Sequence, residues 1–232
     1  MEIIAEIGQN HNGDMGLARE LIHAAKDNGA EVAKFQVYDA RALFPKEGNP
    51  WYDYNCKTEL SRAQVEELAR VCADCGVEFM ASVFDVERIA WLEAVGVKRY
   101  KVASRSIREG ALGDALVATG KPILASLGWW TEADFPKVAA AQPVEFLYCV
   151  SKYPTPLEDV HLAAVDFTRY AGFSDHTIGN MAPAAAFARG ARIVEKHFTM
   201  DKTMYGPDHE CSMTPAELLD LSRFRDALRL CL

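Results

Sequence analysis

Two β-rich runs of this chain, GFSDH (172–176) and RIVEKHF (192–198), place polar side chains where an apolar core is expected. Side chains alternate between the two faces of an extended strand. Ser174 therefore shares a face with His176, and Glu195 shares one with His197, while Val194 and Phe198 take the other. Lys196 points outward with that second set and is not counted with the site. Two neutral imidazoles on neighbouring strand ends can bind one divalent cation and leave positions open for water or substrate. The plainer reading is that each histidine is a core residue with satisfied hydrogen bonds.

The other β-rich runs repeat the pattern. Glu6 shares a face with Ile4 and Gly8, and Lys34 and Gln36 oppose Ala33 and Phe35. Ser82, Lys101, Ser126 and Ser151 each fall near the C-terminal end of a run. A buried, ionised lysine without a partner costs several kcal/mol against a total stability of about 5–15 kcal/mol, so Lys34 and Lys101 must both be compensated. Glu6 and Glu195 can do that as an internal ion-pair network. A phosphate or carboxylate ligand is the alternative. Ser82, Ser104, Ser126 and Ser174 supply hydroxyl donors that an ion-pair network does not need, and this surplus favours an anion site.

These residues need elements to position them. Eight strand candidates, at 3–8, 31–37, 78–84, 99–104, 122–128, 144–151, 172–176 and 192–198, alternate with eight helical stretches such as GLARELIHAAKDNG and TPAELLDLSRFRDALRL. Parallel strands require crossovers, and eight units close a sheet without an edge, so the pattern predicts an α/β protein with a (β/α)8 TIM barrel over residues 1–232 as one domain. The C-terminal strand ends of such a barrel form its active-site face, where the polar positions can converge. A doubly wound open sheet is the alternative, but GQNHNG after the first strand does not match GxGxxG. The longest irregular stretch, 38–60, carries Phe44, Trp51, Tyr52 and Tyr54 and reads as a partly ordered lid.

Composition narrows the function classes. A formal charge of -8 with no Lys/Arg run argues against a nucleic-acid or anionic-membrane surface, so any anion site must be local. The start MEIIAEIG lacks the features of a signal peptide, and no apolar run reaches about 18 residues, which together predict a soluble cytoplasmic protein. The six cysteines read as reduced thiols, and Cys72 and Cys75 form a CxxC within a helical pattern that has no second pair to complete a zinc site.

The words IIAEIGQNHNGD, AKFQ, KVAS, YPTPLEDV, FSDHTIG, EKHFTMD and GPDHECSM occur in the order found in the N-acetylneuraminate synthase family, which this chain resembles over nearly its whole length. The resemblance implies condensation of phosphoenolpyruvate with a sugar aldehyde to a 2-keto-3-deoxy sugar acid. It implies that Lys34, Ser82, Lys101, Ser104, Ser126 and Ser174 hold the phosphate and carboxylate of phosphoenolpyruvate. His176 and His197 would bind a divalent metal, Mn²⁺ by preference, with Mg²⁺ or Co²⁺ as alternatives. Glu195 would face the carbon that develops positive charge, and Glu6, Gln36, Tyr153 and Asp208 would line the remaining pocket.

Three departures stand out. Arg105 and Ser106 replace the Gly-Glu of the sialic-acid enzymes, which points to a different and anionic acceptor contacted by Arg105. Ser151 stands where the family often has an amide. The sequence ends at Leu232, where family members continue into a small antifreeze-like domain that helps recognise the sugar, so the acceptor is left open between N-acetylmannosamine and another aldose, and a homodimer is kept as an expectation of the resemblance. A metal-dependent aldolase or isomerase, and a non-catalytic barrel that binds a phosphorylated metabolite, are the competing readings.

Overall fold

Runs of β-branched and aromatic residues bounded by Gly and Pro form eight strands: β1 (Glu2–Gly8), β2 (Val32–Val37), β3 (Glu78–Val83), β4 (Tyr100–Val102), β5 (Ile123–Ser126), β6 (Val144–Cys149), β7 (Gly172–Asp175) and β8 (Ile193–His197). A computed structural model describes residues 1–232 and pairs these strands in parallel, in sequence order, into a closed barrel. The (β/α)8 TIM-barrel expectation therefore holds for the sheet. β8 returns to β1 with His197 opposite Glu6 and Glu195 opposite Ile4, while Lys34 of β2 stands opposite Glu6 on the other side.

Strand alternation divides the core in two. Inside the barrel, Ile4, Val32, Met80, Leu124, Leu147, Ala171 and Ile193 form an apolar plug at the N-terminal strand ends. Outside it, Ile3, Ala5, Phe35, Phe79, Ala81, Phe173 and Val194 face the helices in a larger cluster. The lumen positions one step further along the strands are the polar ones. Gly172 is required where β7 meets β8, because a Cβ there would lie 1.8 Å from the Ile193 carbonyl oxygen.

Five of the eight helices begin on a short polar side chain that accepts from free N–H groups of the first turn. α1 (Met15–Asp27) is capped by Asp14. After two short helices, α2 (Ala40–Leu43) and α3 (Tyr52–Lys57), α4 (Arg62–Cys75) starts on a Ser61–Gln64 capping box. α5 (Val86–Ala94), α6 (Gly110–Ala118) and α7 (Met181–Ala188) follow, and α8 (Pro215–Cys231) starts on a Thr214–Glu217 box with Pro in its first turn. None is long and apolar enough to cross a membrane. The six cysteines are free, and Cys72 packs in the core from α4.

The expected alternation of eight strands with eight helices is corrected here. α2 and α3 both lie in the 38–60 connection, so that stretch is ordered in part, and neither β5–β6 nor β6–β7 is joined by an α-helix. Pro136 and Pro143 in the first of these connections, and Pro154 and Pro156 in the second, remove donors and disfavour helix in the residues before them. Aromatic side chains cover the outer face of β6 instead: Phe135 meets Phe146 and Tyr170 with ring centroids 5.2 and 4.6 Å apart, and Tyr148 meets Phe173 at 5.8 Å.

One charged pair interrupts the apolar layer behind the sheet. Lys196 Nζ lies 2.5 Å from Asp175 Oδ2, both side chains are fully buried, and the same ammonium donates to the Thr177 carbonyl. Asp175 also accepts from the Thr177 amide and hydroxyl. Lys196 is outward-facing, as its parity predicts, but it is a structural tie between β7 and β8. Lys196→Met leaves a buried carboxylate without its cation and is expected to lower unfolding stability by about 3–5 kcal/mol. Urea denaturation measures this, and a loss below about 1 kcal/mol would contradict the assignment.

Candidate active site

The polar lumen positions converge on a narrow cavity of about 60 Å³, open to solvent at the C-terminal strand ends. Its floor holds two ammonium groups and two carboxylates, all at most 5% exposed. Lys34 Nζ lies 2.7 Å from Glu6 and 3.4 Å from Glu195, and Lys101 Nζ lies 3.4 Å from Glu195. Hydroxyls fill in around them. Lys34 donates to Ser82 Oγ at 3.0 Å, Lys101 to Ser126 Oγ at 2.8 Å, and Ser174 Oγ donates to Glu195 at 2.9 Å. Gln36 donates to Glu6 at 2.9 Å. The internal ion-pair reading is thus realised in its contacts, yet the same groups line an open cavity.

The two lysines are not equivalent. Burial opposes the charge on each, but Glu195 and Glu6 together hold the Lys34 pKa above the ordinary lysine value. Lys101 has no carboxylate closer than Glu195, and burial leaves its pKa lowered. For Glu195, burial is outweighed by Lys101, Lys34 and the Ser174 hydroxyl, which hold its carboxyl down at about 2.

His176 and His197 stand beside this floor with ring centroids 5.5 Å apart. His176 Nδ1 donates to the Val150 carbonyl at 3.0 Å, which leaves the Nε2 lone pair free. Burial lowers the His197 pKa despite the nearby Asp208 carboxylate, and its buried Nδ1 has no hydrogen-bond partner. Burial opposes the charge on His176, but Cys149 and the Val150 carbonyl raise its pKa above the ordinary histidine value, so His176 would give up a proton on binding a cation. The free nitrogens, Nε2 of His176 and Nδ1 of His197, fit a divalent ion. No third His, Cys, Asp or Glu completes a ligand set with them, so further positions would fall to water or substrate. The Tyr153 ring lies 4.1 Å from that of His176 and 6.1 Å from that of His197 while remaining 51% exposed.

A wider vestibule of about 460 Å³ shares Gln36, Ser104, Tyr153 and His197 with the inner cavity. Ser151, Asp208 and Arg105 line this vestibule and not the inner cavity, with Asp208 Oδ2 3.9 Å from His197 Nδ1. A Cβ at Gly128 would come 2.3 Å from Ser151 Oγ and 3.0 Å from Ser104 Oγ, so glycine leaves room beside both hydroxyls. Arg105 is exposed, and its neighbour Ser106 is turned away, donating to Glu109.

Residues 21–230 match the model of the NeuB family. This chain belongs to the NeuB family. N,N'-diacetyllegionaminic acid synthase from Legionella pneumophila is 36% identical over 257 residues, covering 97% of this chain and 71% of that protein. N-acetylneuraminate-9-phosphate synthase from Homo sapiens is 32% identical over 244 residues, covering 95% and 68% respectively. The crystal structure of an N-acetylneuraminic acid synthetase from Leptospira borgpetersenii in complex with citrate superposes with a TM-score of 0.91 at 33% identity, over 99% of this chain and 84% of that one. The resemblance read from the ordered sequence words is therefore borne out.

Several residues around this NeuB-family cavity escaped the sequence reading. Cys149 at the end of β6 lines the inner cavity, and its parity with Ser151 in the run 144–151 was a usable signal. Gln9 and Asn55 line the vestibule with Trp51 and Trp129. Gln9 Nε2 donates to Tyr38 at 2.6 Å and to Asn55 at 3.3 Å, contacts between loops that strand parity cannot reach.

The depressed Glu195 pKa carries a sign. Its folded value lies below the ~4.3 of an unfolded glutamate, so the stabilisation is full above about pH 4.3 and is lost as pH falls through about 2. The stability gap between wild type and Glu195→Gln is therefore expected to be widest near neutrality and to narrow from pH 5 toward pH 2. Urea titrations in chelator-treated buffer test this, and a gap that widens on acidification would refute it.

Proposed function

We propose that this chain catalyses condensation of phosphoenolpyruvate with a sugar aldehyde, with the release of phosphate and formation of a 2-keto-3-deoxy sugar acid. The observation that carries the reading is the pair of imidazoles, each with one uncommitted nitrogen, beside a floor of two lysines and several serine hydroxyls in one cavity. The names of the NeuB-family relatives support the same reaction class. A divalent cation held by His176 and His197, Mn²⁺ by preference, would act as a Lewis acid on the aldehyde oxygen.

The floor is formally neutral, with two ammonium groups against two carboxylates, so it can take an anion only with compensation. His176 and His197 would hold a cation that supplies such compensation, and the hydroxyls of Ser82, Ser104, Ser126 and Ser174 add neutral donors to those of Lys34 and Lys101. The enol carbon attacks the aldehyde carbon and forms the new C–C bond, which leaves cationic character on the phosphate-bearing carbon. Water adds there and gives up a proton, the alkoxide formed from the aldehyde takes one up, and the C–O bond to phosphate breaks. Glu195, held ionised by its low pKa, suits stabilisation of the cationic centre. A carboxylate near 2 is a weak base at neutral pH, which argues against water activation as its role. Glu6, Gln36, Tyr153, Ser151 and Asp208 would shape the rest of the pocket.

Purified protein with phosphoenolpyruvate, Mn²⁺ and a panel of aldoses is expected to release phosphate only when all three are present. His176→Ala and His197→Ala are each expected to lower that rate by more than about 100-fold with an unchanged circular-dichroism spectrum, the scale set by several kcal/mol of lost charge stabilisation. Turnover of a sugar without phosphoenolpyruvate would favour the aldolase or isomerase reading. Binding of phosphoenolpyruvate and metal without phosphate release for any aldose would sink the condensation.

A further inference from the structure

Arg105 is the vestibule's guanidinium, and no carboxylate lies within ion-pair distance of it. It is held in place all the same. Its Nη2 donates to the Leu43 carbonyl at 3.3 Å, and its guanidinium lies over the Phe44 ring at 5.1 Å. The acids that share the adjoining groove are occupied. Asp85 and Asp39 lie 2.9 and 3.8 Å from Arg88, and Glu109 accepts from Ser106 at 3.0 Å. The vestibule's own carboxylate, Asp208, stands beside His197. Arg105 is thus a positioned cation with unspent donors, at the mouth of a site on a protein of net charge -8. The overall charge repels an anion, so a local cation is what admits one.

We propose that Arg105 recognises an anionic substituent, a phosphate or a carboxylate, on the aldose acceptor at a position away from the aldehyde. The inference rests on the condensation reading above. An aldehyde that reaches the two histidines lies in the inner cavity, which Arg105 does not line, so the contacted group belongs to the part of the acceptor left in the vestibule. The anionic groups of phosphoenolpyruvate have Lys34, Lys101 and the inner hydroxyls, and they do not need Arg105. A guanidinium suits either anion through paired N–H donors.

Three acceptors separate the sources of charge: a neutral N-acetylhexosamine, its 6-phosphate and a hexuronic acid. With Mn²⁺ and saturating phosphoenolpyruvate, one of the anionic acceptors is expected to exceed the neutral one in kcat/KM by about 10- to 100-fold, the range of one charge-assisted contact. Arg105→Gln should raise KM for that acceptor by a similar factor with little change in kcat, and Arg105→Lys should recover part of it. KM for phosphoenolpyruvate should stay unchanged in both variants. A wild-type preference for the neutral sugar overturns the proposal, as does an unaltered preference in Arg105→Gln or a change confined to phosphoenolpyruvate. If no acceptor releases phosphate, the condensation reading fails separately. Calorimetry of hexosamine 6-phosphate and hexuronic acid against phosphoenolpyruvate-saturated protein then decides Arg105 alone, because equal affinity for wild type and Arg105→Gln also overturns it.

Discussion

Two lysines inside a barrel lumen must be neutralised, and most of the architecture answers to that requirement. Glu6 and Glu195 come from the adjoining strands β1 and β8, and Lys34 from β2, so closure of the sheet is itself what brings the charges within 2.7–3.4 Å. The apolar plug beneath them keeps the charged layer toward the open end of the barrel, where solvent and ligands can reach it. Without that plug and that closure, the same four side chains would be an uncompensated cost. With them, they become a rigid, nearly neutral floor whose hydrogen-bonding capacity faces a cavity.

Compensation behind the sheet serves the same end. The Lys196–Asp175 pair sits back to back with the lumen residues and ties the Thr177 backbone to β8. His176 lies between Asp175 and Thr177, and His197 follows Lys196, so the two imidazoles extend from a segment cross-linked on its far side. The His176 ring is fixed further by Val150, and its backbone carbonyl accepts from Thr155 at 2.8 Å. Rigid placement of this kind is what a two-imidazole site needs if a ligand is to complete its coordination.

The connections set what can enter. The long β2 connection carries α2 and α3 and delivers Phe44, Trp51 and Asn55 to the vestibule, and Trp51 and Tyr54 meet Tyr205 of the β8 connection. Arg88 bridges the β2 and β3 connections through Asp39, Glu59 and Asp85. The vestibule is therefore a wall of amides and aromatic rings held by loop-to-loop contacts, around a narrower and more highly charged interior.

Strand parity alone identified the lumen residues, because alternation is a property of the local backbone: Lys34, Lys101, Glu6, Glu195, His176 and His197 could be assigned to one face before any contact was known. The strand number and barrel closure were also legible, from the spacing of β-rich runs. The missing crossover helices on either side of β6 were announced by four prolines that the periodic reading underweighted. What the sequence could not specify was partnership. Lys196 could be placed on the outer face, but its partner Asp175 emerged only when β7 and β8 stood side by side, and Gln9 and Trp129 joined the site only through loop meetings. Which face a residue occupies depends on its own strand, whereas which charge neutralises it depends on elements distant in sequence, and only the folded barrel decides that.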